Sequence, residues 1–66
     1  MTTTAITSTS DITPGKTTII SKEFPSWGTF GVSAIDPQYG WVEASNGRGS
    51  RIIDRHEVVK FWEIVN

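Results

Sequence analysis

The sequence predicts an all-β fold: a small five-stranded barrel with one helical turn before its last strand and a flexible segment at its N-terminus. Three observations carry that expectation. From Pro14 to Asn66, short runs rich in β-branched and aromatic residues are cut every few positions by Gly, Pro, Asn or Asp. Asn46-Gly47 sits between two such extended runs, the strongest short-range signal for a hairpin. The three Trp, three Phe and one Tyr all lie beyond residue 23, and each brings roughly 150–250 Å² of buried surface to a core. A chain of 66 residues makes one domain, and one this small hides only about 60% of the surface of its unfolded chain. Trp27, Trp41 and Trp62, with Phe24, Phe30, Phe61 and Tyr39, are therefore the expected core anchors, with Trp27 and Tyr39 equally suited to a binding surface.

Residues 1–13, MTTTAITSTSDIT, are dominated by Thr and Ser, and after Met1 their only large apolar side chains are Ile6 and Ile12. So little apolar surface does not offset the entropy of ordering, and the segment is expected to be a flexible tail ahead of a barrel spanning residues 14–66. The strand preference of Thr is the competing consideration, by which Ile6 or Ile12 would pair onto a sheet edge.

Pro14-Gly15 is the first strong turn signal, and residues 17–23, TTIISKE, then read as the first barrel strand. Phe24-Pro25-Ser26-Trp27-Gly28 reads as a loop, since Pro has no N–H for a ladder and Gly tolerates positive φ. Over residues 29–35 the pattern alternates, with Phe30, Val32 and Ala34 on one face. That is a half-buried strand. Asp36-Pro37-Gln38-Tyr39-Gly40 has turn chemistry, residues 41–45 resume as a strand, and Asn46-Gly47-Arg48-Gly49 returns the chain along residues 50–54.

The last dozen residues carry two patterns. Asp54-Arg55-His56-Glu57 has the form of a capping box, and Val58, Phe61, Trp62 and Val65 fall at helical spacing. Those same residues are β-branched or aromatic, and a sheet lacking a final strand would expose an edge. One helical turn at 54–57 and a last strand at about 59–65 is the expectation.

Composition excludes several function classes. Without cysteine there is no disulfide or thiolate metal site, which rules out a secreted disulfide scaffold. No Lys or Arg precedes residue 16, and no apolar run reaches the length of a signal peptide or a membrane span. The expected location is the cytoplasm. A formal net charge of −1 argues against a protein that coats phosphate backbones.

The layout of residues 14–66 resembles the SH3-like small barrel: an opening Pro14-Gly15, Trp27-Gly28 ahead of the second strand, the Asn46-Gly47 hairpin, and an apolar run after a polar turn. The Ala-Leu-Tyr-Asp-Tyr run of signalling SH3 domains is absent, so their Pro-x-x-Pro binding is not implied. Small accessory proteins of photosynthetic electron-transfer complexes, those of photosystem I and of the cyanobacterial dehydrogenase complex with its ferredoxin-docking component, look similar in length and layout. That likeness implies docking or assembly without chemistry. Type II dihydrofolate reductases share such a barrel, but their Val-Gln-Ile-Tyr run falls on a segment where Ile52 replaces Gln and Asp54 replaces Tyr. Their site is not carried over. Tyr39-Gly40-Trp41-Val42-Glu43 followed by Asn46-Gly47 is similar to a segment of cold-shock domains, yet Arg51-Ile52-Ile53-Asp54-Arg55-His56 lacks the aromatics a base-stacking platform needs.

Motifs of catalysis are weak. Pro14-Gly15-Lys16-Thr17 imitates the end of a phosphate-binding loop, but Ser10 stands where the spacing requires Gly and Pro14 removes an N–H. His56 is the one histidine. Ser50 and Asp54 on one strand face lie about 13 Å apart by strand rise, too far for a triad, and one His with scattered carboxylates makes no metal site. No enzyme and no cofactor are expected.

What remains is a binding reading. Arg48, Arg51 and Arg55 form the basic concentration of the chain, with Arg51 and Arg55 on one face if the strand continues, and Glu43, Asp54 and Glu57 are near enough in sequence to balance them. Loop aromatics Trp27 and Tyr39 are residue types that dominate interface energetics. The expected function is a non-enzymatic interaction module that docks on a larger protein or complex through Trp27, Tyr39, Arg48, Arg51 and Arg55. The alternative is a nucleic-acid binder of modest affinity using the same arginines, with Trp41 for stacking. Pairing with a second copy is a further option for so small a barrel.

Overall fold

The computed structural model describes residues 2–65. Strands β1 (Thr2–Ala5), β2 (Thr18–Ser21), β3 (Thr29–Ile35), β4 (Val42–Asn46), β5 (Gly49–Ile53) and β6 (Phe61–Val65) form one antiparallel sheet in the order β1-β6-β2-β3-β4-β5. The all-β expectation holds, with two corrections. Among the described residues there are six strands in place of five, and the sheet is open, with β1 and β5 as its two edges.

The sixth strand comes from the segment expected to be a flexible tail. Thr2 to Ala5 pair with Val65 to Trp62 of β6, and Ile6 and Ile12 are 2% and 5% exposed. Counting apolar side chains alone misses what the hydroxyls do. Ser8 caps a 3-10 turn at Thr9–Asp11 in a capping box, and the Asp11 carboxylate accepts bonds from the Thr7 backbone N–H at 2.9 Å and the Thr7 hydroxyl at 2.8 Å. That knot reverses the chain between the two isoleucines, so both enter the core.

The core consists of Ile6, Ile12, Ile19, Phe30, Val32, Val42, Ala44, Ile53, Val58 and Phe61. Register explains their meeting, because Ile19 pairs with Phe30, Val32 with Ala44, and Val42 with Ile53. A period of two then puts each pair on the same face. The alternation expected for residues 29–35 fails at its end: the register shifts between Val32 and Ala34, so Ala34 is half-buried and Ile35 turns to pack against the core.

None of the three Trp belongs to this core. Trp41, expected to pack, is 48% exposed, and Trp62 is half-buried with the Lys22 ammonium 4.3 Å from its ring centroid. Isoleucine and valine side chains with Phe30, Phe61 and Ala44 fill the core, and the indoles lie at its margins, Trp27 packed against it.

Two turns form by unexpected means. Gly47 does not have positive φ, so the hairpin is not the Asn-Gly type the dipeptide suggests. Instead the Asn46 side-chain oxygen accepts the backbone N–H groups of Arg48 at 2.8 Å and Gly49 at 3.2 Å, a side-chain mimic of a backbone turn. The helical turn before the last strand is a 3-10 turn at Val58–Lys60, later than the expected 54–57, with its first residue, Val58, buried. No helix among the described residues is long and apolar enough to cross a membrane.

Candidate functional site

The loop between β2 and β3 is tied down by short-range bonds. The Ser21 hydroxyl accepts the Phe24 N–H at 2.9 Å, and a 3-10 turn at Pro25–Trp27 ends at Gly28, whose φ of 86° suits glycine. Phe24 and Trp27 are thereby stacked, with ring centroids 4.5 Å apart. Two further bonds fasten this loop to the β4–β5 hairpin: the Trp27 carbonyl accepts Asn46 Nδ2 at 3.2 Å, and the Ser26 carbonyl accepts Arg48 Nη1 at 3.3 Å.

Arg51 completes the arrangement. It pairs across β4 with Ala44, which is buried, so it projects from the core-facing side of edge strand β5. Its guanidinium carbon lies 3.7 Å from the Trp27 ring centroid, which lets the charge sit over an aromatic face at the rim of the core. Trp27 and Arg51 line two clefts. One, of about 460 Å³, is bounded also by Phe30, Asn46, Arg48 and Gly49, and the other, of about 180 Å³, by Phe24, Ile53 and Phe61 with the charged Glu23, Glu57 and Lys60.

The five residues expected to form one surface separate into two groups. Trp27, Arg48 and Arg51 meet at the tip of the β4–β5 hairpin. Tyr39 and Arg55 lie at its base, about 13 Å away by strand rise over the four residues from Asn46 to Val42. There the Asp36 carboxylate accepts the backbone N–H groups of Gln38 and Tyr39, Gly40 takes a φ of 73°, and Tyr39 stacks on Trp41 with centroids 5.2 Å apart. A side-chain carbon on Gly40 would come within 3.2 Å of Arg55 Cβ, so the Arg55 stem lies on that glycine. Arg51 and Arg55 do not share a strand face, because β5 ends at Ile53 and the Asp54 carboxylate accepts the His56 N–H at 2.8 Å to start a turn.

His56 is exposed in that turn, where it accepts a 3.4 Å bond from Arg55 Nε. No cluster of three or more His, Asp or Glu among the described residues is placed to hold a metal ion.

Sequence reasoning assigns Phe24 to the core, whereas the structure leaves it 44% exposed, and it passes over Asn46 and Ile52 as site residues. Phe24 carries a readable signal, since an aromatic directly before Pro in a loop has no strand to bury it. Asn46 signals a turn by its place before Gly47, but nothing local signals the use of its amide. Ile52 is 64% exposed on the outer face of β5, which no local pattern distinguishes from burial. No known protein family, no curated protein and no solved structure matches this chain.

Proposed function

We propose that this protein is a non-enzymatic interaction module of the cytoplasm that docks on a larger protein or complex as a small accessory or regulatory component. The observation that carries the reading is the Trp27 ring held between two clefts, in contact with Phe24 and the Arg51 guanidinium. Trp, Tyr and Arg in partly desolvated pockets supply most of the energy of protein interfaces. A domain short of core also leaves Phe24, Tyr39 and Trp41 at 44%, 53% and 48% exposure, and such a share of aromatic surface on a small chain suits a covered face. We further read the strand order of β2–β6 as SH3-like, within an open sheet extended by β1, on the strength of the order β6-β2-β3-β4-β5 and the 3-10 turn before the last strand.

Capture from native lysate on immobilised protein tests the function, with and without nuclease, comparing wild type with Trp27→Ala and with Arg48→Ala/Arg51→Ala. A stoichiometric protein partner that survives nuclease and is lost from both variants is the expected result. Recovery of nucleic acid with steeply salt-dependent binding would overturn it in favour of phosphate contacts.

A further inference from the structure

We propose that the free edge of β5 accepts an extended peptide as a seventh strand, and that Arg51 selects an acidic residue at the centre of that peptide. This deepens the docking function proposed above and rests on it. Among the described residues β5 pairs on one side only, with β4. Asn46 and Gly49 are the pair that closes the two-residue turn, and hydrogen-bonded pairs alternate along an antiparallel ladder. Gly49, Arg51 and Ile53 therefore bond back to β4, and the backbone N–H and C=O groups of Ser50 and Ile52 face outward without a strand partner.

Both clefts border this edge. A strand laid antiparallel on β5 would set three of its side chains on the core-facing side, opposite Ile53, Arg51 and Gly49 in turn. The first enters the smaller cleft, where Phe24, Trp27 and Phe61 supply apolar surface and Glu23, Glu57 and Lys60 also line the wall. The third enters the larger cleft beside Trp27 and Phe30, over a Gly49 that contributes no side chain. The central one faces a guanidinium, where a carboxylate is favoured and an apolar or basic group is not.

Charge also decides between a peptide and a second copy. A charged residue directed inward from an edge strand is a device against indiscriminate edge pairing. If two β5 strands pair so that Ser50 of one copy faces Ile52 of the other, which uses every outward group, Arg51 falls opposite Arg51. Like charges directly across a ladder oppose that dimer, and the same charge attracts an acidic strand.

The probe is a capped seven-residue peptide of threonine with leucine, glutamate and phenylalanine at its second, fourth and sixth positions. It is titrated into the full ¹⁵N-labelled chain and followed by amide shifts. Saturable shifts centred on β5 are expected, with binding about fivefold weaker when lysine replaces the peptide's glutamate. Arg51→Glu should reverse that preference. Ser50→Pro removes an outward N–H while leaving the β4–β5 ladder intact, so it should keep its amide spectrum elsewhere and lose about tenfold in affinity.

Four results would overturn the edge site: no saturation at millimolar peptide, shifts confined to the Tyr39–Trp41 end, an unchanged preference in Arg51→Glu, or a concentration-dependent dimer abolished by Ser50→Pro. A natural partner captured equally by wild type and Ser50→Pro would also sink the edge site while leaving the docking function standing. Peptide binding with no partner captured from lysate would do the reverse.

Discussion

The Arg51 guanidinium carbon lies 3.7 Å from the centroid of the Trp27 ring, joining the free edge strand to a loop 24 residues earlier in the chain. Arginine suits this place better than lysine. Its planar, weakly hydrated group rests on the indole while its stem covers apolar surface, and the charge stays in contact with water. Loop and edge thereby become one surface, with the Arg48–Ser26 and Asn46–Trp27 bonds as further ties.

A double-mutant cycle measures that tie. Trp27→Leu, Arg51→Met and the double variant, unfolded in urea, should give a coupling of about 0.5–1 kcal/mol, the range for a cation over an exposed aromatic face. A coupling indistinguishable from zero would mean that the two side chains do not hold their stack in solution.

The N-terminal isoleucines should behave as core residues. Ile6→Ala and Ile12→Ala are each expected to cost about 2–5 kcal/mol, against a total stability on the order of 5 kcal/mol for small domains. Loss of the cooperative thermal transition in either variant, and its retention in Thr3→Ala on exposed β1, is the pattern expected by circular dichroism.

These isoleucines also show where local reading stops. Alternation and turn residues locate the cores of β2 through β6, because each is written in neighbouring positions. β1 is illegible because its partner, β6, lies at the other end of the chain, and only their pairing makes a threonine run worth ordering. The candidate site divides the same way. Residue type singles out five residues, of which the structure brings Trp27, Arg48 and Arg51 together, whereas placing Tyr39 and Arg55 with them assumes a longer β5. The Asp54–His56 turn ends that strand at Ile53 and carries Arg55 to the Gly40 end.

Gly40 is the pivot of that second end. An L-residue at φ 73° is strained, and its side chain would also press within 3.2 Å of Arg55 Cβ. Gly40→Ala is expected to cost about 1–2 kcal/mol from the backbone alone. Gly47→Ala, where an added carbon meets nothing within 4 Å, provides the control. Equal urea midpoints for the two variants would contradict the turn geometry.

Asn46 should weigh more than its exposed turn suggests. Its side-chain oxygen accepts two backbone N–H groups and its amide donates to the Trp27 carbonyl. Asn46→Ala removes all three bonds and is expected to cost about 1–3 kcal/mol. It should also loosen Trp27, seen as faster hydrogen exchange across residues 24–28. Asn46→Asp retains the acceptor and should keep the hairpin while losing the bond to Trp27.

Asp11 gives the structure a pH signature. The Thr7 backbone N–H is the largest cause, followed by the Thr7 hydroxyl, and together with the Ser8 N–H they hold the exposed Asp11 carboxyl below its ordinary value of 3.8. A carboxyl whose pKa is lower folded than unfolded contributes stability that is complete above the unfolded value and is lost as pH falls through the folded one. The contribution should therefore stand at neutral pH and fade below about pH 4. Carboxyl-detected NMR titration of Asp11 should give a midpoint under 3.8, and Asp11→Asn should flatten the acid side of stability against pH while lowering stability at neutrality. Because this knot holds Ile6 and Ile12 in the core, acid should release β1 before the central strands. A wild-type amide spectrum in which β1 and β3 lose dispersion together would show that the Asp11 knot does not set the acid stability of the N-terminal strand.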